Sequence, residues 1–99
     1  MASDGSVQFE WDVRKADANR RKHGVSFEIA AQVFADTLCK QEFEGSEHGE
    51  NRWRTTGQAG KTLLVVSHTR REEDGVEIIR IIPARKATPS ERRDFEEDS

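Results

Sequence analysis

The sequence predicts an α+β fold, in which helices pack on an antiparallel β-sheet. Three observations lead to this prediction: helical patterns near the N-terminus, several strand patterns in the middle, and a capped helix near the C-terminus. No internal repeat or linker divides the 99 residues, so a single domain is expected. We place this domain at residues 7–97, after a small polar segment at residues 1–6 that is expected to be disordered.

A short strand and a helix open the predicted domain. Residues 7–11 alternate apolar and polar side chains, which is typical of a strand with one buried face. Asp12 is a good N-cap for a helix at Val13–His23, and Gly24 follows where a left-handed C-cap residue belongs. The apolar stripe of this helix is narrow, so most of its surface is expected to face solvent.

A second helix is expected to begin after Ser26 and to end near Asp36. Its apolar residues recur at the i, i+3, i+4 and i+7 spacing of a buried helical face: Phe27, Ala30, Ala31 and Phe34. We therefore expect two N-terminal helices on the sheet, with the second making the main contact.

Four strands are expected next, at residues 38–43, 52–56, 62–69 and 76–83. A turn at residues 57–60 and a polar loop at residues 71–75 separate the last three. The last two strands have apolar centres, so both are expected to be central and covered on two faces. Pro83 cannot donate a ladder hydrogen bond, and we expect it to end the last strand.

The final helix is predicted at Pro89–Glu97. Thr88 and Glu91 have the spacing of a capping box, and Pro89 suits the first helical position. Phe95 is its main apolar residue and is expected to anchor it to the domain.

Composition and charge exclude several classes of protein. Hydrophobic residues are 33% and charged residues 35%, so a partner or second copy is expected to cover part of a thin core. The single cysteine, Cys39, excludes an internal disulfide and favours a reducing cytoplasm. Neither a signal peptide nor a membrane span is expected. The net charge of −3 hides basic clusters at residues 20–23, 52–54, 70–71 and 80–86, which leave a local nucleic-acid surface open.

Arg80 interrupts the apolar run of the last strand, where alternation places it on the face of Ile78 and Ile82. Burial of an unpaired guanidinium is costly. Arg80 therefore either opens into a site that binds an anion such as phosphate, or pairs with an acid such as Glu10 or Glu28.

Lys22 and His23 close the first helix. Their charge complements the helix dipole, which would explain both residues without a function. Alternatively, His23 transfers a proton near neutral pH while Lys22 stabilises charge on a phosphorane.

Four further residues are candidates for substrate contacts. His68 and Arg70 are expected at the end of a central strand, and Arg85 just past the last strand. The alternative for His68 is a solvated strand end, and the alternative for Arg85 is a basic loop that binds no ligand. Trp53 is either a core aromatic or a platform on which an RNA base stacks.

No zinc-ligand spacing, phosphate-binding glycine loop or serine-hydrolase elbow is found. No metal or other cofactor is therefore expected.

Several segments of the chain resemble the BrnT toxin family. The most specific are Arg21-Lys22-His23-Gly24 and Ile79-Arg80-Ile81-Ile82, and the others lie at residues 9–12, 25–28, 31–36, 52–57, 63–69 and 84–92. The resemblance implies a RelE-like ribonuclease fold and a type II toxin that cleaves RNA without a metal and inhibits translation. It also implies a BrnA-like antitoxin partner that carries the DNA-binding part, with a toxin dimer inside a heterotetramer.

By motif, the functional positions of the family fall on Lys22, His23, Trp53, Arg70 and Arg80. The resulting hypothesis is cleavage by the RNA 2′-hydroxyl, with catalysis by Lys22, His23, Arg70 and Arg80. The substrate-binding candidates are Trp53, His68 and Arg85. The alternative is an inactive RelE-like module that sequesters antitoxin or acts as a co-repressor. A direct DNA-binding regulator is disfavoured, because no helix-turn-helix is evident.

Overall fold

A computed structural model describes residues 6–97 of the chain. The segment that we expected to be disordered, residues 1–6, lies outside the described residues except for Ser6. The elements follow the order β1 (Val7–Glu10), α1 (Val13–His23), α2 (Phe27–Ala31), a 3₁₀ helix η1 (Gln32–Ala35), β2 (Lys40–Glu47), β3 (Glu50–Ala59), β4 (Thr62–Glu73), β5 (Val76–Lys86) and α3 (Pro89–Glu97). This arrangement confirms the α+β class.

The five strands form one sheet in the order β1-β5-β4-β3-β2. Strands β2 to β5 are antiparallel, as expected, but β1 pairs with β5 in parallel. The prediction of a wholly antiparallel sheet is wrong at this edge, because no hairpin joins β1 to β5 and fixes its direction. A strand also precedes α1 and α2, so these helices are not the N-terminal elements of the fold.

Both capped helices have the predicted bounds. In α1 the Asp12 carboxylate accepts hydrogen bonds from the backbone of Arg14 and Lys15, and Gly24 adopts a left-handed φ of 71°. In α3 the capping box is present: the Glu91 amide donates to Thr88 Oγ1, and the Thr88 amide donates to Glu91 Oε1. The second predicted helix is α-helical only to Ala31 and continues as the 3₁₀ helix η1.

The last three strands are longer than predicted. Strand β3 continues through the expected turn, and β4 through most of the expected loop. Strand β5 passes Pro83 because a bulge lies there: Val66 faces Ala84 while His68 faces Ile81. The extra residue in β5 removes the need for a donor at Pro83, which corrects the expectation that Pro83 ends the strand.

Different helices pack on the two faces of the sheet. Helices α2 and η1 pack on one face, where Phe27, Ala30 and Val33 are buried against residues including Val66 and Ile81. We call this surface the helix face and the opposite one the open face. On the open face α3 covers one end, where Phe95 is buried as expected.

Asn19 fixes α1 along the edge of β5, beyond the point where β1 ends. Its amide oxygen accepts from the Ala84 amide at 3.0 Å, and its Nδ2 donates to Ala84 O at 2.8 Å and to Val25 O at 3.0 Å. The buried side chain thus takes the place of a neighbouring strand for the amide and the carbonyl of Ala84. The same side chain satisfies the carbonyl of Val25. It also holds the C-terminal end of α1 next to the sheet.

Candidate active site

A small cleft of about 130 Å³ lies on the open face, beside the C-terminal end of α1. Its polar lining groups are an imidazole, two guanidiniums, a hydroxyl and a carboxylate, from His23, Arg54, Arg85, Ser67 and Glu44. Val65 and Pro83 complete the wall. The cleft therefore combines groups that transfer protons with groups that bind anions.

The pairing of β3, β4 and β5 brings these side chains together. Arg54 lies opposite Ser67, and Arg85 lies opposite Val65. His23 is the last residue of α1 and comes from outside the sheet, held by the contact of Asn19 with Ala84. The bulge at Pro83 borders the same cleft, and such bulges often re-aim side chains beside active sites.

Carboxylates outside the cleft hold both guanidiniums in place. Arg85 makes a bidentate pair with Glu91, with N–O distances of 2.7 and 2.8 Å, and Arg54 donates to Glu42 at 2.7 Å. The hydrogen bonds that Arg85 donates to Glu91 raise the pKa of Arg85, and the one that Arg54 donates to Glu42 raises the pKa of Arg54. Both side chains remain 37% exposed, so each keeps N–H groups for a ligand.

A second ionic cluster lies on the open face at the other end of β5. Glu10 accepts hydrogen bonds from Arg80 at 3.1 Å and from Arg71 at 2.8 and 3.1 Å. The Arg71 hydrogen bond is the main cause that lowers the pKa of Glu10 to about 2, and Arg80 adds to it. Of the two alternatives for Arg80, pairing with Glu10 is the one observed.

The remaining candidates lie on the helix face. His68 is fully buried in the middle of β4, which corrects its expected position at a solvated strand end. Its Nε2 is 2.8 Å from Thr55 Oγ1, and its ring meets the Phe34 ring edge-on. Burial lowers the pKa of His68 to about 4, and Arg70 adds to this shift while the Thr69 backbone partly opposes it.

Arg70 and Trp53 share this helix face with His68. Arg70 Nε donates to Glu77 at 2.6 Å, and Arg70 also contacts the side chain of Gln41. The Trp53 ring packs edge-on against Phe43, with a centroid distance of 5.2 Å. Trp53 is thus a half-buried aromatic packed on Phe43, and Arg70 forms a structural ion pair with Glu77.

The structure thus divides the candidate residues into groups. His23 and Arg85 share the cleft, Lys22 is exposed next to it, and Arg80 lies on the same face further along β5. Trp53, His68 and Arg70 are on the opposite face. The catalytic and binding roles assigned to these residues stay predictions.

Sequence reasoning missed Ser67 and Glu44, and it gave Arg54 no catalytic role. Strand alternation was enough to place Arg54 on one face, but only the pairing of β3 with β4 sets it opposite Ser67. Glu44 lies in a segment whose pattern gave no signal. Long-range register was the information that the sequence pattern lacked.

Two further observations concern metals and membranes. Across residues 6–97, no three His, Cys, Asp or Glu side chains converge as metal ligands would. Within the same residues, no helix has the length and apolar character needed to cross a membrane.

A small α+β domain with a histidine and two arginines in one cleft belongs to a class suited to acid–base chemistry on an anionic substrate. The comparison with known families agrees with this class. The model of the family described as the ribonuclease toxin BrnT of type II toxin-antitoxin systems matches residues 11–91. The chain therefore belongs to the BrnT toxin family. No curated protein gives a significant match.

Family membership confirms the resemblance drawn from the sequence and its coarse functional content. The family is one of ribonuclease toxins, so the expected target is RNA and the expected partner is an antitoxin protein.

Proposed function

We propose that the chain cleaves single-stranded RNA in the cleft around His23, with the RNA 2′-hydroxyl as nucleophile and without a metal. The observation that carries this proposal is the position of His23 beside Arg54 and Arg85. We further propose that cleavage inhibits translation in the cytoplasm, that the fold is RelE-like, and that a BrnA-like antitoxin neutralises the toxin, with toxin dimers inside a heterotetramer.

The proposed reaction needs two proton transfers. The Glu44 carboxylate takes the proton of the 2′-hydroxyl, whose oxygen attacks the phosphorus and forms a 2′,3′-cyclic phosphate. The bond to the 5′-oxygen breaks, and that oxygen receives a proton from the imidazolium of His23. Glu44 and His23 line the same cleft, so one substrate can reach both.

The two arginines stabilise the negative charge that grows on the phosphate oxygens in the transition state. Their forks are already oriented by Glu42 and Glu91, so little rearrangement is needed when the phosphate binds. The Ser67 hydroxyl donates a hydrogen bond to the substrate in this arrangement. In this proposal Arg80 and Arg71, which both pair with Glu10, also contact a neighbouring phosphate along the open face.

The decisive experiment measures RNA cleavage in the presence of a chelator. His23→Ala should lower the cleavage rate by about 10²- to 10⁴-fold, because a general acid contributes roughly that factor. Lys22→Ala is the matched control, since Lys22 is the neighbouring residue, is exposed and does not line the cleft. Full activity of His23→Ala would contradict the assignment, and loss of activity only in Lys22→Ala would transfer the role to Lys22.

One observation favours the alternative function, an inactive module that sequesters antitoxin or acts as a co-repressor. The guanidiniums of Arg54, Arg80 and Arg85 are each paired with a carboxylate. Expression of the chain alone in bacteria separates the two functions. A toxin arrests growth until the antitoxin is co-expressed, whereas an inactive module leaves growth unchanged.

A further inference from the structure

A groove of about 470 Å³ crosses the helix face beside η1, on the side of the sheet opposite the cleft. Its apolar lining comes from β1, β5, α2 and η1, namely Val7, Phe9, Ile79, Ala31, Phe34 and Ala35. The polar groups are few and lie at its rim, with Arg70, Glu77 and Gln41 among them. A mostly apolar groove with the Arg70–Glu77 ion pair at its rim suits an apolar ligand with one acidic group that can bind the remaining N–H groups of Arg70.

We propose that this groove docks an apolar segment of the antitoxin, with an acidic side chain of that segment bound to Arg70. This proposal rests on the proposed function for the identity of the partner, the antitoxin. It does not require that the cleft cleave RNA.

Arg70 supplies the charge complementarity. Its Nε and Nη2 both face Glu77 at 2.6 Å, so Glu77 occupies one side of the guanidinium fork. The terminal Nη atoms each carry a further N–H, and the side chain is 31% exposed. Nη1 also donates to the side chain of Gln41, so Glu77 and Gln41 together hold Arg70 at the groove. A partner carboxylate can then bind the remaining N–H groups without first ordering the side chain.

Three exposed apolar residues lie in the groove or near groove residues. Val7 lies in the groove itself and is 43% exposed. Leu38 is next to the groove residue Cys39 and is 58% exposed, and Phe43, beside Trp53 on the same face, is 55% exposed. Exposed large apolar residues around an apolar groove favour a protein partner over RNA, which needs phosphate-binding cations.

The test uses two groove variants and one matched control. Ala35→Trp fills the groove from an exposed position in η1, and Arg70→Glu reverses the charge at its rim. Arg71→Glu is the control, because the next residue along β4 points to the open face and pairs with Glu10. The probe is the purified protein encoded by the reading frame beside this chain, and its Kd is measured by calorimetry.

We expect Ala35→Trp and Arg70→Glu to weaken binding by roughly 30-fold or more, and Arg71→Glu by less than about threefold. Ala35→Trp should cleave RNA like the wild type, since Ala35 is on the face opposite the cleft. Thermal melting verifies that each variant is folded, and Ala35→Trp carries the test if Arg70→Glu does not fold.

Several results would overturn the proposal. Unchanged affinity in the folded groove variants removes the groove from the interface, and so does a wild-type chain that does not bind the probe. A loss of self-association alone assigns the groove to a second copy of the chain. If Arg70→Glu binds the probe with full affinity but no longer cleaves RNA, Arg70 acts in catalysis and not in antitoxin binding. A wild type that binds the probe but cleaves no RNA refutes the proposed function and leaves the groove test valid.

Discussion

The open face and the helix face of the sheet are built from alternate residues of the same strands, yet they differ in chemistry. In β3 and β4, Arg54 and Ser67 line the cleft, whereas the next residues, Thr55 and His68, are buried under η1. The two histidines show the contrast best. His23 lies half-exposed at a helix end, while burial keeps the pKa of His68 at about 4. A residue type alone therefore does not identify a catalytic group, and the face it occupies decides its role.

After that of His23→Ala, the largest effect is expected for the arginines of the cleft. Arg85→Ala or Arg54→Ala should lower the single-turnover cleavage rate by about 10²- to 10³-fold, because each removes a donor aimed at the phosphate. Arg52→Ala is the control, since Arg52 lies on β3 but pairs with Glu47 outside the cleft. Equal losses in all three variants would indicate general electrostatic attraction of RNA and would weaken the distinction between the cleft and the rest of its face.

The next largest effect concerns Asn19, which holds α1 between the two faces. Asn19→Leu leaves the buried amide and carbonyl of Ala84 without a partner, so we expect a loss of about 2–4 kcal/mol in the free energy of unfolding. Urea denaturation measures this change in the free energy of unfolding. Asn51→Ala is the control, because the hydrogen bond between Asn51 and Ser46 is exposed to solvent. A loss similar to that of the control would show that Asn19 does not anchor α1.

The helices show how much of this fold could be predicted from sequence. The bounds of α1 and α3 were correct because their caps, Asp12, Gly24 and Thr88, are local signals that lie next to the helix they end. Strand ends were missed because a strand continues as long as a neighbour pairs with it, and that neighbour is distant in sequence. The parallel direction of β1 and the bulge at Pro83 depend on the same distant pairing.

The candidate site was only partly predictable for the same reason. His23 and Arg85 could be named because their residue types are typical of ribonuclease chemistry. Their proximity to Ser67 follows from the register of three strands, which no local pattern reveals. Conversely, His68 and Arg70 were candidates alongside Arg80 because they were expected at a strand end, although the observed register places them on the other face.

A smaller effect should separate the two histidines by pH. The pKa of His68 is about 4 in the folded protein and near 6.5 when unfolded, so only the unfolded state gains a proton between these values. Stability is therefore complete above pH 6.5 and falls toward pH 4, by roughly 2–3 kcal/mol. The pKa values of Glu10 and Glu91 fall from 4.5 to about 2 on folding, so their contributions are lost as pH falls from about 4.5 to 2 and overlap only the lower end of the His68 window.

Urea denaturation at several pH values tests this expectation. His68→Phe should flatten the curve of stability against pH between 4 and 6.5, while His23→Ala should keep most of it. If His68→Phe left the curve unchanged, the buried position of His68 would not be the source of the pH dependence, and the contrast between the faces would lose its clearest marker.

The smallest effect is expected where α3 covers the end of the open face. Thr88 Oγ1 accepts from the Glu91 amide, and Thr88→Ala should therefore cost about 1 kcal/mol of stability, seen as a lower Tm. Ser90→Ala is the control, because it lies exposed in the same turn. The Glu91 carboxylate also holds Arg85, so the cap and the cleft share one side chain. If Thr88→Ala also slows RNA cleavage in the folded protein, the α3 cap helps to orient Arg85, and the helix that covers the open face becomes part of its chemistry.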